Sequence, residues 1–305
     1  MKDYKGIKII GVDHGFGNIK TANCCFPTGV VKNDEEPPIT IDVLVWEGKY
    51  YSIGAGHKEF IADKFLDDDY YVLTLAAIAR ELRQEKLTEA KVCLAAGLPL
   101  TWMTSQKQKF KDYLVRNKVE EFVFRGTLYR VEIVDAQLFP QGIAAVASNI
   151  GDFTGVNMLC DIGNGTMNLV RIINKKPDIN SMYTEKYGTL QCSLAIRENV
   201  MRTHHVTIDE YIITEIMRKG TANIDKSYLE TIISTAKEYT AGIFRRLRER
   251  EYDPKTMKLY IVGGGGCLIK NFADIDTTNV VINEDICATA KGYEFMAEQI
   301  LKRGR

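Results

Sequence analysis

The sequence predicts an α/β protein built from two mixed-sheet halves, and three observations carry that expectation. The order strands, helix, strands, helix runs once before about Gly151 and again after it. The frame Asp-x-Gly-x-Gly occurs at Asp13-His14-Gly15-Phe16-Gly17 and again at Asp161-Ile162-Gly163-Asn164-Gly165, each time behind a short apolar run. The 305 residues, 45% hydrophobic and 26% charged, suit about two globular domains. No low-complexity linker separates the halves, so they are expected to pack across a cleft.

The elements follow in order. Residues 8–12 are apolar and end at Asp13 and glycines, which predicts a buried strand entering a turn. Residues 19–26 read as its hairpin partner, with the vicinal Cys24-Cys25 one on each face and packed in the core. Residues 28–38, with charges and two prolines, read as a loop. A second hairpin spans 41–46 and 49–53 around Glu47-Gly48. Asp67-Asp68-Asp69 precedes the apolar-periodic stretch 70–82 and reads as a helix cap. Residues 92–96 predict a strand, 106–117 a helix, and 121–134 a hairpin turning at Gly126. Residues 137–150 predict a helix rich in small residues.

In the second half, residues 157–161, 167–173 and 181–186 predict strands. Helices are expected over 190–203, 208–219 and 226–250. Residues 259–262 predict a strand running into four glycines, and 287–301 a closing helix. The expected domains are 1–153, with 286–305 returning to it, and 154–285.

Composition removes several classes of function. Lys plus Arg and Asp plus Glu are both 40, so no net charge draws the chain to nucleic acid or to an acidic membrane. Its apolar runs are too short to span a bilayer, and no apolar signal segment follows Met1. The seven cysteines are scattered without a C-x-x-C pair, and His14, His57, His204 and His205 do not fall into zinc spacing. A cytoplasmic protein with reduced thiols is the expectation. The basic run 245–250 is interrupted by Glu249 and sits where a helix C-terminus favours cations, so it reads as a solvated or assembly face, not a DNA-reading one.

The chemistry concentrates in the glycine frames. Glycine lets backbone N–H groups approach an anion, and two facing turns would clamp a phosphate chain. A carboxylate at a strand end suits Mg²⁺, which keeps waters and bridges to phosphate. One frame alone is most simply a tight β-turn; two in matching positions favour the phosphate reading. A third element, Gly263-Gly264-Gly265-Gly266 after a strand, can lie against a base and ribose. The G-x-G-x-x-G and G-x-x-x-x-G-K-[ST] phosphate loops are both missing.

The segments 13–20, 161–166 and 263–266 resemble the two phosphate loops and the adenosine motif of the actin, Hsp70 and sugar-kinase superfamily. Within it, the compact length and the run Gly11-Val12-Asp13-His14-Gly15-Phe16-Gly17-Asn18-Ile19-Lys20 are similar to the bacterial actin-like plasmid-segregation proteins, the ParM/StbA family. The resemblance implies an actin-like (ribonuclease H-like) fold whose duplicated domains flank a nucleotide cleft. It implies ATP or GTP as ligand with Mg²⁺ near Asp13 and Asp161. Gly15, Phe16, Gly17, Asn18, Lys20, Gly163, Asn164, Gly165, Thr166, Gly263, Gly264 and Gly265 would contact the nucleotide, with Lys237 and Glu238 near the adenosine. Gln137 falls where the family positions the attacking water. Because an amide is no strong base, hydrolysis is expected to be slow. One departure is Phe16, which stands where actin and ParM carry a hydroxyl residue.

The resemblance further implies a head-to-tail polymer, an open assembly driven by nucleotide. A ParR-like adaptor would connect it to plasmid or mobile-element DNA, with no direct nucleic-acid contact and no membrane. The alternative is a small-molecule kinase of the same superfamily, with Asp135 drafted as the base for a substrate hydroxyl. A chaperone-like ATPase fits less well, because 305 residues leave no room for a peptide-binding domain.

Overall fold

The computed structural model describes residues 1–38, 41–55, 67–276 and 278–304, and His57 lies outside them. The chain divides into two units, Met1–Ser148 with Cys287–Arg305, and Asn149–Ile286. The expected mixed α/β architecture is present in both.

The first unit begins with β1 (Lys2–Tyr4), β2 (Ile7–His14), β3 (Asn18–Lys20), β4 (Cys25–Pro27) and β5 (Val30–Asn33). It continues through β6 (Val43–Trp46), β7 (Lys49–Ile53), α1 (Asp69–Gln84), β8 (Glu89–Leu98), α2 (Met103–Leu114), β9 (Val119–Phe124) and β10 (Thr127–Pro140). Its sheet runs β4-β3-β2-β8-β10-β9-β6-β7-β5, with β1 added on β2. The central strands β2, β8 and β10 are parallel neighbours, so their C-terminal ends share one edge region of the sheet. Parallel strands are covered on both faces, and β2 shows it. Ile10 and Val12 face a core shared with α1, Phe110 and Leu114, while Ile9 faces the opposite cluster with Ala95, Phe139 and Tyr293.

The second unit holds β11 (Val156–Ile162), β12 (Met167–Ile173), β13 (Lys176–Pro177), β14 (Tyr183–Glu185), α3 (Thr189–His204), α4 (Glu210–Lys219) and α5 (Lys226–Glu249). It ends with β15 (Lys258–Val262), α6 (Gly266–Phe272) and β16 (Val280–Ile282). The sheet order is β13-β12-β11-β15-β16, with β14 on β12. Asp209 and Asp225 cap α4 and α5 by accepting from Tyr211 and Ser227 N–H groups, which satisfies donors that a helix start leaves open. Apolar faces of α3, α4 and α5 cover the sheet through Ile196, Val200, Ile213, Ile216, Ala236 and Ile243.

The last helix, α7 (Ala288–Arg303), belongs to the first unit. It lies directly on β2: a Cβ at Gly11 would stand 2.1 Å from the Ala290 carbonyl oxygen, so only glycine admits this approach. Gly11 N–H donates to Glu294 Oε1 at 3.1 Å. Glu294 is 3% exposed. Burial pushes its carboxyl up to about 7, while the Met1 amino group and the Gly11 N–H pull the other way.

Several local expectations give way to tertiary pairing. The helix expected over 137–150 is strand up to Pro140, because β10 stays in parallel register with β8 from Gln137↔Ala95 to Pro140↔Leu98. A 3-10 segment, Ile143–Asp152, follows. The single strand expected over 19–26 is broken into β3 and β4 by a turn that the buried Glu81 organises, accepting from Thr21 Oγ1 at 2.5 Å and Asn23 N at 2.9 Å. Cys24 therefore lies outside a strand and Cys25 is exposed, not core-packed. The loop expected over 28–38 contains β5, paired with β7 from Val30↔Ile53. The strand expected over 181–186 shortens to β14 behind a 3-10 turn, Ile179–Ser181. At the start of α1 the expected acidic cap is supplied by Asp67, whose Oδ1 accepts the Asp69 N–H at 3.0 Å, while Asp68 pairs with Arg116 at 2.8 Å.

Candidate functional site

The first glycine turn leaves the C-terminal end of β2, the place where α/β sheets bind ligands. Asp13, 7% exposed, is the next-to-last residue of the buried strand, and the hairpin register sets it opposite Lys20 on β3. Lys20 Nζ lies 3.6 Å from Asp13 Oδ2. Thr28, itself buried, holds the turn from one side: its N–H donates to Gly17 O at 3.2 Å and its hydroxyl to Gly15 O at 2.9 Å. With the Gly15 carbonyl committed to Thr28, peptide planarity directs the following Phe16 N–H to the opposite side. Asn18 is exposed at the start of β3. The turn thus brings Asp13, Gly15, Phe16, Gly17, Asn18 and Lys20 together.

Gln137 does not join this group. Its Nε2 donates to Asp135 Oδ2, and Asp135 also pairs with Lys111 at 2.7 Å, on a strand face reached after a register shift between Ile133 and Asp135. Gln141 takes the place instead, donating from Nε2 to Asp13 Oδ1 at 3.2 Å. Its backbone N–H is fixed to Leu98 O at 2.9 Å, and Gly142 follows with φ 78°. Sequence reasoning passed over Gln141, although a signal exists. Proline removes a ladder donor and glycine accepts positive φ, so Pro140-Gln141-Gly142 marks a strand end that places the glutamine beside the ligand edge.

In the second unit, β11 and β15 are parallel, with Asp161 opposite Val262. The turn after β11 and the glycine run after β15 therefore leave the same end of the sheet. Gly163 N–H donates to Thr166 O at 2.8 Å, closing the turn 163–166. The start of α3 grips that turn: Thr189 and Leu190 N–H groups donate to Gly163 O and Asn164 O at 3.0 and 2.9 Å. A Cβ at Gly188 would stand 2.3 Å from Asn164 O, so the grip requires glycine there. Gly265 N–H donates to Ile162 O at 2.9 Å, and a Cβ at Gly263 would meet Asp161 Oδ1 at 2.6 Å. Gly264, by contrast, is exposed and faces open space. Asp161, Gly163, Asn164, Gly165, Thr166, Gly263, Gly264 and Gly265 form one constellation. Lys237 and Glu238 are exposed on α5. Their neighbours Tyr239 and Thr240 tie that stretch to Gly188 O at 2.8 Å, beside the turn after β11, and to Phe272 O at 3.2 Å, at the end of α6.

Among the described residues no group of three or more His, Cys, Asp or Glu side chains could hold a metal ion by itself. Single carboxylates at strand ends do fit Mg²⁺, which keeps most of its waters and needs one or two protein oxygens beside phosphate. Asp13 and Asp161 are those carboxylates. The basic run of α5 is partly engaged inside its unit, with Arg246 on Glu185 at 2.9 Å and Arg250 over the Tyr183 ring at 3.4 Å. No helix among the described residues is long and apolar enough to cross a membrane.

Residues 11–143 match the family model described as the N-terminal domain of actin-like proteins. No curated protein sequence matches the chain. Among solved structures, the archaeal actin homologue Ta0583 in complex with ADP is 19% identical, with 96% of this chain and 100% of that one aligned at a TM-score of 0.72. ParM of Bacillus thuringiensis with ATP is 13% identical over 97% and 100%, at a TM-score of 0.72. The Alp12 filament structure is 16% identical over 97% and 100%, at 0.67. The matched domain over 11–143 and a fold shared along nearly the whole length show that this chain has the actin-like fold.

Proposed function

We propose that this protein is a nucleotide-driven, self-assembling actin-like NTPase that binds ATP or GTP with Mg²⁺ through its two glycine turns. The observation that carries the reading is the group at the end of β2: the Asp13 carboxylate flanked by Lys20 and Gln141 on a glycine turn held by Thr28. Lys20 supplies a point charge for phosphate. Gln141, in place of Gln137, orients the attacking water without acting as a strong base, so turnover is slow. The metal, when bound, neutralises charge that develops on the phosphates. In the second unit, residues 164–166 contribute N–H groups on a turn that Gly163 closes, and Gly264 with Lys237 and Glu238 serve the nucleoside. The two units act as the domains expected from the sequence.

Structures of similar fold carry ADP or ATP or form a filament, which supports a polymer that assembles head to tail with nucleotide and weakens on hydrolysis. A ParR-like adaptor links it in the cytoplasm to plasmid or other mobile DNA. Right-angle light scattering of the purified protein with Mg²⁺ and ATP, and separately GTP, tests the proposal. A rise followed by decay with phosphate release is expected. Silence at tens of micromolar, or phosphate transfer to a small hydroxyl acceptor, would overturn it.

A further inference from the structure

The first glycine turn is attached to α2 at two points. His14, the last residue of β2, is fully buried with its ring edge-on to Phe110 at 5.3 Å between centroids. Two residues on, Phe16 meets Trp102 edge-on, with centroids 6.4 Å apart and planes at 79°. Trp102 ends the 3-10 turn Leu100–Trp102 and is the N-cap residue of α2, and its N–H donates to Pro99 O at 2.9 Å. Because β2 and β8 are paired in parallel up to Val12↔Ala96, the turn after β2 and the Pro99–Trp102 corner after β8 emerge at the same end of the sheet.

Phe16 and Trp102 are each half-buried, with Trp102 packed on the margin of the core. Phe16 is the one large side chain of a turn bounded by Gly15 and Gly17, which leave the backbone free to take many shapes. Thr28 fixes the carbonyl side of that turn. A ring held edge-on by a second ring fixes the side chain at its tip, in a geometry that aromatic pairs favour.

We propose that Trp102 is a positioning residue for the first phosphate turn: it holds Phe16, sets the turn in its receiving shape, and makes the start of α2 respond when phosphate arrives. This rests on the nucleotide reading above. A chain that carries a phenylalanine in a phosphate turn gains here an anchor in α2 in place of a side-chain hydroxyl contact to the ligand.

The chain has two tryptophans, and the other, Trp46, is buried with Nε1 on Glu120 at 2.9 Å. Calorimetry with MgATP and MgGTP measures affinity independently of tryptophan emission, and circular dichroism confirms folding of each variant. Nucleotide is expected to change the emission of the wild type, and Trp102→Phe to abolish that change. Trp102→Ala and Phe16→Ala should each raise Kd and KM by about two- to tenfold, the range an aromatic pair contributes, with kcat within about twofold. The double variant should be no worse than either single one, since both remove one contact, and Trp102→Phe should recover most of the affinity lost in Trp102→Ala. Unchanged affinity in Trp102→Ala, additive effects in the double variant, or an emission change that survives Trp102→Phe overturns the proposal while leaving nucleotide binding intact. Absence of nucleotide binding by the wild type overturns both.

Discussion

Replacing Glu294 by glutamine should stabilise the protein increasingly as pH rises from 5 to 8. Glu294 on α7 accepts the Gly11 N–H from β2 at 3.1 Å and is buried, with the Met1 amino group at 3.6 Å and Glu81 among its charged neighbours. Its carboxyl is raised from 4.5 to about 7. The folded state therefore holds this proton more tightly than the unfolded chain. The group favours folding fully below the unfolded value, and the advantage fades as pH climbs through the folded one. Between pH 5 and 8 the fading amounts to about 2–3 kcal/mol, since the window covers most but not all of the separation between the two values at about 1.36 kcal/mol per unit. Glutamine at 294 keeps an oxygen for the Gly11 N–H and cannot ionise. The Met1 amino group keeps its closer partner, Glu81 Oε2, at 3.0 Å. Urea unfolding of wild type and Glu294→Gln at half-unit steps across this range reads out Glu294 together with the Met1 amino group it faces. A stability difference that stays flat, or that shrinks as pH rises, would refute the reasoning.

Other consequences concern the glycine turns. Gln141→Ala should slow phosphate release about 10- to 100-fold while nucleotide-dependent scattering persists, whereas Gln137→Ala should leave release within about threefold; equal effects measured with a phosphate sensor would dissolve the distinction drawn between them. Gly188→Ala drives a methyl group against the Asn164 and Gly163 carbonyls. It should cost about 1–3 kcal/mol in thermal or urea unfolding and weaken nucleotide binding, as overpacking against fixed backbone does.

Strand ends followed by glycine could be read without coordinates, because apolar runs that stop at Asp13 or Asp161 and then turn admit few local structures. The double occurrence of that frame also announced a duplicated α/β architecture. What the sequence left undecided were choices governed by partners far along the chain. The small-residue stretch after Asp135 has good helical propensity, yet it remains extended until Pro140 because β8 supplies a parallel ladder for it. That continuation moves the strand end by several residues and puts Gln141, not Gln137, beside Asp13. In the same way Glu81, 60 residues from Thr21, breaks a run that local alternation would have kept as one strand. Local pattern determines which residues prefer a turn, a strand or a helix, whereas hydrogen-bond satisfaction between distant segments decides where each element stops. The reach of a side chain toward a ligand depends on that stopping point.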